Sequence, residues 1–148
     1  MTAMIQAHIT DRFEQAAFDG DRIAQLARHV CRRFDMSEGV VGVVIVDDST
    51  FRRLHREFLD RDGTSDCLSF DLSDEGQRCL EVVVNGQVAV DQAQARGHGI
   101  EAEIALYTVH GLLHQLGFDD VDEQAAVDMH AMEDAILTEQ GYGRVYAD

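Results

Sequence analysis

Two histidines, His110 and His114, lie four residues apart in an otherwise apolar stretch of the chain. In a helix this spacing places both imidazoles on one face, where they can share a metal ion. Seven histidines in 148 residues give about 0.3 such pairs by chance, so the spacing alone is weak evidence. Two imidazoles buried side by side without a partner would be costly, however, and this favours metal ligands over core histidines.

A glycine and two aspartates follow this pair in the string HGLLHQLGFDD. Gly117 is expected to end the helix as a left-handed C-cap and to turn the chain back. The side chain six residues after His114 is then able to return over the helix, as in HxxxHxxGxxH metal sites. Carboxylate oxygen also binds zinc, so we predict Asp120 as the third ligand. The alternative is a capped helix with two core histidines and a solvated Asp119–Asp120 pair.

Gly111 stands where a zinc peptidase of the HExxH type carries its general-base glutamate. Its presence disfavours a peptidase. A site with two histidines, a glycine turn and no such base still suits hydrolysis in which the metal makes hydroxide and binds an oxyanion.

The elements that must position these residues follow from hydrophobic periodicity and from turn and cap signals. The pattern predicts an α/β or α+β domain, with a small mixed sheet of about four strands packed with about five helices. The two strands around the turn SDEGQ are expected to form an antiparallel hairpin. We predict strands at 4–9, 39–46, CLSFDL and CLEVVVN, and helices at 20–34, from Asp48 or Ser49 through Phe58, at 87–96, 101–116 and 122–139.

Length and composition predict a single domain over residues 1–148, without a signal peptide or a membrane-spanning run. Three cysteines without a CxxC pair suggest reduced thiols and a cytoplasmic protein. The net charge of −16 argues against a general nucleic-acid binder. Seven of the twelve arginines nevertheless fall between positions 28 and 61, either as one basic face or on solvated helix surfaces. They are Arg28, Arg32, Arg33, Arg52, Arg53, Arg56 and Arg61.

Several segments together resemble the YbeY family of bacterial metal-dependent endoribonucleases. TVHGLLHQLGFDD is similar to the family hallmark HGxLHLxGYDH, and LHREFLDRDGTSDCLSF (residues 54–70) is similar to LNxxYRxKDxPTDVLSF. LEVVVNGQVAVDQAQARGH resembles the strand GDIVIS and the helix after it, and MHAMEDAIL (residues 129–137) fits MxxxExxIL. The match runs in register over roughly residues 40–140.

The resemblance implies a zincin-like hydrolase with one divalent metal ion, expected to be zinc, held by His110, His114 and Asp120. It implies cleavage of single-stranded RNA in the 3′-end maturation of 16S ribosomal RNA and in ribosome quality control, with metal-bound water as nucleophile. Ribosomal RNA and the small ribosomal subunit are the expected partners, with no DNA and no membrane. We expect Asp119 to be an outer-shell carboxylate that orients a ligand or accepts a proton.

Two departures from the family pattern concern the site. Asp120 stands where the family has its third histidine, and a carboxylate favours manganese or another harder ion more than imidazole does. Leu59 stands where the family has an arginine that is a candidate for binding the scissile phosphate; Arg56 or Arg61 is expected to substitute. The alternative function is a ribosome-assembly factor whose metal is mainly structural and whose catalytic power is lost.

Overall fold

The computed structural model describes residues 4–143 and 145, and it contains four strands and five helices within them. The predicted α/β class and all nine predicted elements are confirmed, with boundaries within two residues at each helix and strand start. The strands are β1 (Ile5–Asp11), β2 (Gly39–Val46), β3 (Cys67–Asp71) and β4 (Cys79–Asn85). The helices are α1 (Gly20–Arg33), α2 (Asp48–Leu59), α3 (Gly86–Arg96), α4 (Ile100–Gln115) and α5 (Glu123–Glu139).

The four strands form one mixed sheet in the order β1-β2-β4-β3. The pairs β1–β2 and β2–β4 are parallel, and β3 pairs antiparallel with β4 from Cys67–Val84 to Asp71–Leu80. The predicted antiparallel hairpin is therefore confirmed. It places β3 at one edge of the sheet.

The two faces of the sheet are covered unequally. Val82 and Val84 of β4 point into the main core, which α1, α3, α4 and α5 complete. Val83, between them, points to the other face and belongs to a small cluster under α2 that includes Phe51 and Leu68. Because neighbouring strand residues face opposite sides, α2 and α4 lie on opposite faces of the sheet.

Helix α4 is buried along most of its length, and its C-terminus is closed as the sequence predicts. Gly117 has φ +107°, and the backbone N–H of Phe118 donates to the carbonyl of Leu113 at 2.9 Å. This is the hydrogen bond of a Schellman cap, which requires a left-handed residue that glycine adopts without strain. The Phe118 ring packs edge-on against Phe34, with ring centroids 5.3 Å apart. The cap and this contact fix the direction in which the chain leaves α4.

Candidate metal centre

The structure brings His110, His114 and Asp120 together. One ligand atom from each lies within 4.8 Å of the other two. The Nε2 atoms of the two histidines are 3.1 Å apart, close to the roughly 3.3 Å expected for two nitrogens on one tetrahedral zinc ion. Both imidazoles are half-buried, and the aspartate is exposed. The donor set therefore fits a divalent ion that keeps a position open to solvent.

Glu133 of α5 contacts His110 at Nδ1, the ring nitrogen that does not face His114. The Nδ1 atom of His110 donates to Glu133 Oε2 at 2.6 Å, and Nδ1 of His130 lies 2.9 Å from the other carboxylate oxygen. The Glu133 side chain is only 1% exposed. Burial lowers the pKa of His110, but the hydrogen bond and the negative charge of Glu133, with Asp66 and Asp120, raise it overall. A proton fixed on Nδ1 leaves the Nε2 lone pair for a metal.

The sequence predicts Asp119 as the supporting carboxylate, and Glu133 enters the prediction only within the segment MHAMEDAIL, without a role at the site. Glu133 was missed because its contact with His110 spans 23 residues and depends on how α5 packs on α4. The available signal was a glutamate in line with Met129 and Ile136, two residues that are completely buried. A carboxylate on a buried stripe needs a partner, since an unpaired buried charge is costly.

The packing of α4 on the sheet explains the glycine between the two histidines. A Cβ added at Gly111 would lie 2.8 Å from Val82 Cγ1 and 3.1 Å from Val82 Cγ2. Val82 is completely buried in the sheet. A side chain at the position of a peptidase general base would therefore require α4 or the Val82 side chain to move.

Strand β3 borders the site along the edge of the sheet. Gln115, the residue after His114, donates from Nε2 to Ser69 Oγ at 3.0 Å. The segment before β3 is fixed by the buried Asn85, whose Nδ2 donates to Thr64 Oγ1 at 3.0 Å and to the Ser65 carbonyl at 3.2 Å. This segment carries Asp66, whose charge contributes to the raised pKa of His110.

The other predicted site residues lie outside the three-residue group. Asp119 Oδ1 accepts a hydrogen bond from the Val121 backbone N–H at 3.2 Å. Arg56 Nε donates to Asp62 Oδ1 at 2.8 Å, and the Arg56 side chain is 70% exposed. The exposed Arg61 follows α2, and its carbonyl oxygen lies 3.0 Å from His55 Nδ1. Arg56 and Arg61 thus contact residues of α2 and of the loop after it, and α2 lies on the sheet face opposite to α4.

Comparison with known protein families shows which family the chain belongs to. A family model described as endoribonuclease YbeY matches residues 8–141, which include every element except the start of β1. The chain belongs to the endoribonuclease YbeY family. The family and the enzyme class expected from the sequence, an endoribonuclease, are thereby confirmed.

Curated relatives that carry the name endoribonuclease YbeY agree with this assignment. The protein of Carboxydothermus hydrogenoformans is 37% identical over 108 residues, which cover 72% of this chain and 76% of that one. The protein of Moorella thermoacetica is 31% identical over 142 residues, covering 84% of this chain and 91% of that one. The similarity therefore extends over most of both proteins.

A solved structure shows the same fold. The solution structure of a Thermotoga maritima protein aligns with a TM-score of 0.56 at 18% identity, covering 98% of this chain and 97% of that one. In the part of the chain that the structure describes, no helix combines the length and the hydropathy needed to cross a membrane.

Proposed function

We propose that this chain is a metal-dependent endoribonuclease that cleaves single-stranded RNA in the 3′-end maturation of 16S ribosomal RNA and in ribosome quality control. It would act in the cytoplasm on the small ribosomal subunit. One observation carries the metal-dependent part of the proposal: His110, His114 and Asp120 converge within 4.8 Å in a chain of the endoribonuclease YbeY family. The ribosomal substrate is the extension that the family resemblance suggests.

His110, His114 and Asp120 would hold the ion, and we expect zinc. A bound divalent ion supplies Lewis acidity, which lowers the pKa of water and neutralises charge that develops on a phosphate. The carboxylate of Asp120 also tolerates harder ions such as manganese. The contribution of Glu133 is to fix the orientation and tautomer of His110 through its 2.6 Å hydrogen bond.

The remaining roles belong to exposed side chains. Asp119 lies two residues after Gly117 and is proposed to accept a proton or to orient a ligand. Arg56 and Arg61 are the proposed phosphate-neutralising groups, in place of the family arginine at Leu59. Arg56 lies near the end of α2 and Arg61 in the loop after it, and both residues are exposed. Their long cationic side chains are therefore able to reach a phosphate of a bound RNA strand.

A cleavage assay on single-stranded RNA that carries the 3′ end of 16S ribosomal RNA tests the proposal. Wild-type protein loaded with zinc or manganese is expected to cleave it, and a chelator or His110→Ala should abolish cleavage. His29→Ala is the matched control, because His29 also pairs with a glutamate of α5, at 2.9 Å from Glu139, but lies on α1. Equal cleavage by the wild type and His110→Ala would show that the activity comes from elsewhere.

A ribosome-assembly factor with a mainly structural metal is the second candidate. The observation that favours it is Leu59, whose apolar side chain is 46% exposed where the family has an arginine. Restoring a guanidinium there with Leu59→Arg should raise the cleavage rate if the protein is a slow enzyme, since charge stabilisation of this kind is worth about 2–4 kcal/mol. The assembly-factor reading predicts no chelator-sensitive cleavage by either protein, but retained binding to small ribosomal subunits.

A further inference from the structure

A cavity of about 470 Å³ lies between α3, α4 and the segment before β3, next to the candidate metal centre. One wall is the stripe of α3 formed by Val88, Gln92 and Arg96, which are spaced four residues apart and so share a helix face. Neither the family match nor the metal group accounts for this cavity. Its volume falls within the range of small-ligand sites, about 300–1,000 Å³.

The opposite wall connects the cavity to the metal centre. Tyr107 lines the cavity from α4 and precedes His110 by three residues, so the two side chains lie on the same helix face. Asp66 also lines the cavity, and its charge acts on both Tyr107 and His110. The cavity and His110 therefore share one face of α4, close to Asp66.

Buried groups hold both walls in place. The carboxylate of Glu103 is completely buried and accepts from Arg96 Nη1 at 3.1 Å and 3.2 Å. The same carboxylate accepts from the Tyr107 hydroxyl at 2.8 Å and pairs with His98. Arg96 is thus oriented before any ligand arrives, which reduces the entropy lost on binding.

We propose that this cavity binds the base of a nucleotide adjacent to the cleaved phosphodiester bond and so selects the sequence that is cut. Val88 offers an apolar surface for the face of a base, the Gln92 amide offers a donor and an acceptor for its edge, and the Arg96 guanidinium places a positive charge beside it. Single-stranded RNA is read in this way, by packing on unstacked bases and hydrogen bonding to their edges. The inference rests on the proposed function, because it takes RNA as the substrate.

Cleavage of an RNA library with random sequence around the cut site tests this inference in the metal-loaded protein. The wild type should prefer certain bases at one position beside the cleaved bond. Gln92→Ala should weaken that preference, lowering kcat/KM for the preferred sequence about 10-fold while leaving metal stoichiometry unchanged. Gln94→Ala is the matched control, since Gln94 is exposed on the same helix and does not line the cavity. An unchanged sequence profile in Gln92→Ala would overturn the proposal.

A binding measurement separates failure of this inference from failure of the proposed function. The four ribonucleoside 5′-monophosphates are titrated into the full chain, and the NMR signal of the Gln92 side-chain amide is followed. At least one nucleotide should shift this signal, and Val88→Phe, which fills the cavity, should abolish the shift. A wild type that cleaves no RNA but shows this shift contradicts the proposed function and supports the cavity as a base-binding site. Absence of any shift at Gln92 for all four nucleotides would overturn the inference.

Discussion

Glu133 joins two histidines of different helices through its two carboxylate oxygens. Oε2 accepts from His110 at 2.6 Å, and Oε1 lies 2.9 Å from His130 Nδ1. An ionised carboxylate only accepts hydrogen bonds, so the Nδ1 proton of His110 is held in place and its Nε2 faces His114. The carboxylate that orients His110 is therefore itself held at both oxygens.

Replacing this carboxylate should weaken metal binding without removing a ligand. We expect Glu133→Gln to lower zinc affinity about 10- to 100-fold, because the amide is a weaker partner for His110 and its nitrogen presents a donor. Competition with a chromophoric chelator measures the change. Glu139→Gln is the control, since Glu139 pairs in the same way with His29 at 2.9 Å but away from the site. Equal zinc affinity in both variants would remove Glu133 from the metal centre.

At the scale of elements, the site depends on how closely α4 approaches β4. Gly111 permits this approach, because any Cβ there would meet the buried side chain of Val82 at 2.8 Å. Contact between helix and strand brings His110 and His114 beside β3, where Gln115 reaches Ser69. A larger residue at position 111 would push the helix away from this edge.

Gly111→Ala should therefore destabilise the protein, although alanine is the better helix former by about 1 kcal/mol. Overpacking of this kind costs about 1–3 kcal/mol. Val82→Ala destabilises by itself but makes room, so the double variant should be more stable than the sum of the two single changes predicts. Denaturant unfolding of the four proteins measures the coupling. Strictly additive changes would mean that the two residues do not press on each other.

Periodicity and cap signals predicted most of this architecture, because those signals are local. The helix spacing placed His110 with His114, and the glycine turn placed Asp120 near them. The contact of Glu133 with His110 was not predicted, because the packing of α5 on α4, and not spacing along the chain, brings the two residues together. The roles of Arg56 and Arg61 remain predictions, because their positions in the sequence do not reveal that the sheet separates α2 from α4.

At the scale of the whole molecule, the net charge of −16 limits how RNA is held. Phosphate contacts usually dominate affinity for nucleic acid, and 28 acidic residues against 12 basic ones oppose a broad basic surface. Recognition is therefore expected to depend on the metal centre and on local arginine contacts. The same negative charge favours the binding of a divalent cation by the folded chain, because the cation offsets part of the repulsion among the acidic residues.

Metal binding should consequently raise thermal stability. At a free zinc concentration about 100 times Kd, linkage adds about 2.7 kcal/mol, which corresponds to a rise in Tm of about 5–10 °C for a domain of this size. Differential scanning calorimetry with zinc and with excess chelator measures the shift. His114→Ala should lose it, whereas His29→Ala should keep it. A shift of the same size in His114→Ala would indicate zinc binding at another place.

Elemental analysis of purified protein, combined with zinc titration, tests directly whether His110, His114 and Asp120 hold a metal ion. We expect one divalent ion per chain in the wild type, none in His110→Ala or His114→Ala, and an affinity weakened by about two orders of magnitude in Asp120→Ala. Asp120→His should bind zinc more tightly relative to manganese than the wild type does. Full metal occupancy in both histidine variants would overturn the assignment of this site, because the metal would then lie outside His110, His114 and Asp120.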